Sequence, residues 1–114
     1  MENQENVLCA ANSYIEKFYL NEDYKNLPED VKQQLQIICV EYTEDVGGVL
    51  VMKFSEEGNL LLESISDETD YLYDEIGSEL KIREMTKKYA ELFEKLEAYY
   101  QGMQLLRKSG QLGK

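Results

Sequence analysis

The densest group of side chains that could do chemistry is Asp67, Glu68, Asp70, Asp74 and Glu75, with Tyr71 and Tyr73 among them. Carboxylates in such number can hold Ca²⁺ or Mg²⁺, which take oxygen ligands. On a helix, the steps of three and four would put Asp67, Asp70 and Asp74 on one face. The cluster lacks the alternating acidic spacing and glycine of a calcium loop, and acids also gather at helix starts to complement the helix dipole. No specific metal site is expected here. Tyr71, Tyr73 and Asp74 remain the candidates for a small-ligand or cation site.

The other candidates are Cys9 and Cys39, thirty positions apart. That spacing fits neither a redox motif nor a zinc site, so two reduced, buried, small apolar side chains are expected. Histidine is absent, which removes the usual general base at neutral pH and the commonest metal ligand. No Gly-x-Ser-x-Gly motif, Walker-type loop or dinucleotide fingerprint occurs. No enzyme activity, no cofactor and no catalytic residue are expected.

The elements that must position these residues are read from spacing. From Ser78 to Leu106 apolar residues fall at Ile82, Met85, Tyr89, Leu92, Leu96, Tyr99, Met103 and Leu106, in alternating steps of three and four. This is one continuous helical face. Leu72, Ile76 and Leu80 extend it backwards, so the spacing predicts a long C-terminal helix over 69–107, with Gly77-Ser78 as a place for a kink. Phe93 and Tyr100 widen the stripe beyond a coiled-coil seam into the broad face of a helix that packs on its own domain core, with a homodimer contact as the alternative, and large aromatics at the seam argue against a tight two-stranded coil.

Pro28, Glu29 and Asp30 mark a helix start, and Val31, Leu35, Ile38 and Tyr42 carry the helix over 28–44. The run Ile37 to Val40 leans towards strand, so a shorter helix followed by a strand over 37–43 is the alternative. Val49 to Ser66 reads as a hairpin turning at Glu56-Glu57-Gly58-Asn59. Its arms are apolar at consecutive positions, so both faces of the sheet want cover, and two helices cover only one well. Over 7–20 a strand competes with a helix; the strand is preferred because Asn12-Ser13 sit poorly inside a helix. The resulting fold class is α+β: a small antiparallel sheet packed with helix 28–44 and the long C-terminal helix. Residues 1–108 form a single domain and 109–114 a polar tail.

The chain has 114 residues and a net charge of −11. Strong acidity disfavours nucleic acid and anionic lipid as partners. No apolar run approaches the ~18 residues of a membrane span, and the polar, acidic start is unlike a secretory signal. A cytoplasmic location is expected. The charge is uneven: residues 1–79 hold 4 basic and 19 acidic groups, residues 80–114 hold 8 and 4. A basic helix on an acidic body suits contact between copies of the chain.

Leu27-Pro28-Glu29, Thr43-Glu44-Asp45-Val46-Gly47-Gly48 and Tyr73-Asp74-Glu75-Ile76-Gly77-Ser78 carry a resemblance to an uncharacterised family of short acidic bacterial proteins, a domain of unknown function. The resemblance covers most of the chain. It implies a bacterial, cytosolic protein and brings no activity with it.

Three functional readings follow. The first is a small acidic protein-interaction module, partnering itself as a homodimer or another protein, with Leu92, Leu96, Tyr99, Tyr100 and Met103 near the contact. The second is a small-ligand or cation-binding module at Tyr71, Tyr73 and Asp74. The third and weakest is an acidic mimic of nucleic-acid charge.

Overall fold

In the computed structural model, residues 6–108 are described. The order of elements is β1 (Val7–Asn12), β2 (Lys17–Leu20), a short 3₁₀ turn (Glu22–Tyr24), α1 (Glu29–Asp45), β3 (Val49–Phe54), β4 (Leu60–Ile65), α2 (Glu75–Lys88) and α3 (Ala90–Lys108). The four strands form one antiparallel sheet in the order β2-β1-β3-β4. This is the expected α+β class, with helices on one face of the sheet. The tail 109–114 lies outside the described residues.

The N-terminal stretch is a correction in detail. Residues 7–20 are two strands joined by a tight turn, with Ala10 opposite Tyr19. The turn takes Glu16 to φ 53°, and the Tyr14 amide donates to the Asn12 side chain at 2.9 Å. So Asn12 and Ser13, poor inside a helix, begin a turn. A bulge between Val7 and Cys9 turns both Leu8 and Cys9 inward. Asn21, itself buried, holds the bulge by donating from Nδ2 to the Val7 carbonyl at 2.7 Å.

α1 runs unbroken through the β-leaning Ile37–Val40, because Leu35, Ile38, Cys39 and Tyr42 are all buried on its sheet-facing side. Burial of this stripe outweighs the weak local preference for strand. The β3–β4 hairpin turns at Gly58, whose φ is 90°. A Cβ there would also meet the Gln101 side chain at 2.7 Å, so the turn and α3 fit only around glycine.

The expected helix over 69–107 is present with two differences. It starts at Glu75, because the Asp74 side chain accepts from the Gly77 amide and caps it there. It bends at Tyr89, which leaves helical geometry at φ −110°, ψ 25°; the sequence pointed to Gly77-Ser78 instead. Hydrogen bonds still cross the joint, from the Tyr89 amide to Met85 and from the Phe93 amide to Tyr89. The bend turns Phe93, Leu96 and Tyr100 into the core in place of the straight seam through Leu92 and Tyr99.

One core lies between the sheet and the three helices. It gathers Leu8, Cys9, Leu35, Ile38, Cys39, Tyr42, Leu50, Met52, Phe54, Met85, Phe93, Leu96 and Tyr100, among others. The Phe54 and Tyr100 rings stack with centroids 4.3 Å apart and planes within 8°, which locks the distal half of α3 onto β3.

Candidate functional site

The acidic cluster does not converge. Residues 66–74 are turn and coil, so Asp67, Asp70 and Asp74 share no helical face. Each is engaged by a different donor or role. Asp67 accepts from the Thr69 amide and hydroxyl at 2.9 and 2.7 Å, and these bonds hold its carboxyl below the usual range. Asp70 accepts from the Tyr14 hydroxyl at 2.7 Å. Asp74 caps α2. Among the described residues, no three His, Cys, Asp or Glu side chains are placed to hold a metal ion.

The two tyrosines go separate ways. Tyr71 is 90% exposed. Tyr73 shares a hydrogen bond with Tyr42, its hydroxyl 2.9 Å from that of Tyr42. Tyr42 lies in turn 2.7 Å from the Ser78 hydroxyl, and Ser78 donates to Ser64 at 2.9 Å. This chain of four hydroxyls stitches α1, α2 and β4 together. Burial pushes the Tyr42 phenol up to about 12, so it stays protonated as a hydrogen-bonding group at neutral pH. A groove of about 330 Å³ holds Asp74 along with Val46, Leu72 and Leu80, but neither tyrosine lines it.

A second polar cluster joins α1 to the α2–α3 joint. Glu41 accepts from the Tyr89 hydroxyl at 2.7 Å, from Lys81 at 3.0 Å and from Lys88 at 3.3 Å. Lys81 also reaches Asp45 at 2.7 Å. The Tyr89 hydrogen bond, with those of the two lysines, lowers the Glu41 carboxyl to about 2, and Asp45 and Glu41 raise Lys81. These contacts tie α1 to both C-terminal helices. The seven-residue spacing of Lys81 and Lys88 was the cluster's only trace in the sequence.

The cysteines do meet. Their sulfurs lie 3.9 Å apart, with the Met52 sulfur 3.6 Å from Cys9 and 4.0 Å from Cys39. Both thiols are free and buried. The hydrogen bond with Cys39 and burial push the Cys9 thiol up, which keeps it in the unreactive thiol form.

Of the expected contact residues, Leu96 and Tyr100 belong to the chain's own core. Leu92 and Met103 are partly buried against it, and Tyr99 sits at its edge near Tyr24, ring centroids 6.3 Å apart. The apolar surface left open lies elsewhere, on the outer face of the sheet. Alternation along each strand points Ala10, Asn12, Lys17, Tyr19, Val49, Val51, Lys53, Leu61, Glu63 and Ile65 away from the helices. Not one of these is buried; Tyr19, Leu61 and Ile65 are about half exposed, at 53%, 44% and 50%. The consecutive apolar residues of Val49–Met52 and Leu60–Leu62 were the signal for this face.

Fold and surface together define a two-layer α+β protein whose sheet is helix-covered on one side and open on the other. The chain belongs to the family of unknown function DUF6145, whose family model matches residues 5–109. No curated protein and no solved structure matches it. No described helix is long and apolar enough to cross a membrane.

Proposed function

We propose that this protein is a small self-associating interaction module with no chemistry of its own. The observation that carries the reading is the open outer face of the sheet. In a two-layer domain the sheet's second face either turns polar or finds a cover. Here Tyr19, Ala10, Val49, Val51, Leu61 and Ile65 make it largely apolar, and none of them is buried. Apolar surface removed from water contributes roughly 25 cal/mol per Å², so covering such a face favours association. In this reading the acidic, hydroxyl and lysine clusters of the described residues serve to hold the chain together.

Sedimentation velocity on the full chain from about 1 to about 500 μM tests this, a range that brackets a weak interface. The expected result is a sedimentation coefficient that rises with concentration towards that of a dimer. A single monomeric species over the whole range would refute self-association.

A further inference from the structure

We infer that the start of α2 is a docking site for a basic amphipathic helix of another protein, one with apolar side chains along a face and Lys or Arg flanking them. The inference stands apart from the self-association reading and uses a different surface. Exposure is the first ground. Leu72, Ile76 and Leu80 are 95%, 75% and 59% exposed. The Asp74 cap opens α2 at Glu75, and α2 turns Ser78 and Met85 inward, so Ile76 and Leu80, one turn apart, stand away from the core. None of the three belongs to the core or packs against it. Leu72 and Leu80 line the groove of about 330 Å³, together with Asp45 and Val46 from the end of α1. An exposed apolar patch rimmed by polar residues marks a place where a partner binds.

Charge decides the occupant. Residues 66–80 hold six acidic residues and no basic one. Asp74, Glu75 and Glu79 are exposed beside Leu72, Ile76 and Leu80 in the chain, and Asp45 and Glu84 line the groove. The lysine that lines it, Lys81, is already paired with Glu41 and Asp45, at 3.0 and 2.7 Å. The surface is therefore net negative around an apolar centre. It repels nucleic acid, anionic lipid and the same patch of a second copy, and it attracts a cationic partner that carries apolar side chains.

Spacing decides the partner's form. Ile76 and Leu80 make an i, i+4 ridge on α2, and such a ridge seats in the groove between side-chain rows of a second helix. A helix laid along α2 sets its own i, i+3 and i+4 apolar residues against this ridge and the groove beside it. Its flanking Lys or Arg then meet Glu75 and Glu79.

Fluorescence anisotropy of a labelled synthetic leucine/lysine peptide, patterned as an amphipathic helix, tests this against the full chain. Saturable binding is expected, with no binding of a leucine/glutamate peptide of the same pattern. Leu72→Ser with Ile76→Gln alters only strongly exposed side chains; it is expected to raise Kd by about tenfold or more, with the thermal melt kept. Glu75→Lys with Glu79→Lys is expected to weaken binding by a similar factor. Glu56→Lys with Glu57→Lys, exposed at the β3–β4 turn, changes net charge equally and is expected to leave Kd within about twofold, since salt screens distant charges. No saturable binding, binding of both peptides, an unchanged Kd in the Leu72/Ile76 variant, or equal weakening by the two charge pairs overturns the inference. Loss of self-association in the Leu72/Ile76 variant also overturns it, since a second copy then occupies the patch. If the Glu75/Glu79 variant unfolds, the Leu72/Ile76 variant still decides. A chain that sediments as a monomer at all concentrations yet binds the leucine/lysine peptide at this patch removes the self-association reading and upholds this one.

Discussion

Replacing Glu41 by Gln tests how α1 is tied to the two C-terminal helices. The substitution keeps the side chain's size and removes its charge, leaving Tyr89, Lys81 and Lys88 around a neutral amide. The carboxyl falls from 4.5 to about 2 on folding. Every tenfold change in proton affinity is worth ~1.4 kcal/mol, so that fall corresponds to a ceiling of roughly 3.4 kcal/mol. The Glu41 side chain is 22% exposed and one partner, Lys88, is 52% exposed, so solvent screening reduces this to about 1–2 kcal/mol. Linkage gives the sign: a carboxyl depressed in the folded state stabilises it above the unfolded value near 4.5, and the contribution disappears as pH falls through about 2. Urea unfolding of wild type and Glu41→Gln at pH 7, and again near pH 2–3, measures the difference directly. The expected outcome is a gap of about 1–2 kcal/mol at pH 7 that narrows steadily below pH ~4.5. A gap that stays the same at low pH, or none at pH 7, would refute this role for the Glu41 cluster.

Tyr100→Ala removes the ring stacked on Phe54 and a hydroxyl that donates to Asn6 at 3.0 Å. It is expected to cost about 3–5 kcal/mol, a large share of the roughly 5–15 kcal/mol of a typical domain, while Tyr99→Ala at the core edge costs much less; urea midpoints of the two variants check the contrast. Cys9 and Cys39 are expected to resist a thiol-reactive dye in the native protein and to react once urea unfolds it, because burial and the raised Cys9 pKa deny the thiolate. Rapid labelling of both thiols without denaturant would contradict their place in the core.

Local pattern alone determined much of this protein. The turn at Gly58, the helix begun after Pro28 and the helical periodicity beyond Glu75 all rest on interactions between residues close in sequence. Such interactions have nearly the same geometry wherever the segment sits. The two-faced apolar arms of the hairpin likewise announced a sheet wanting cover on both sides, since alternation fixes which side chains share a face. Membership of an uncharacterised family was legible from short motifs, and it carried no activity.

What the tertiary structure decided is everything that depends on which distant segments meet. The acids around Asp70 crowd together in sequence, but without a helix over 66–74 they take separate donors: Thr69 for Asp67, Gly77 for Asp74 and the distant Tyr14 for Asp70. Cys9 and Cys39, thirty positions apart, meet because α1 packs across β1. The eight-residue seam of the C-terminal helix suited either the chain's own core or, in addition, a second copy. Yet the bend at Tyr89 rotated Leu96 and Tyr100 into the chain's own core. Periodicity shows that a helix has an apolar face, but it is silent on whether the covering surface belongs to the same chain. That question is settled by the packing of the whole domain, which spent the helix on the inner face of the sheet and left the outer face open.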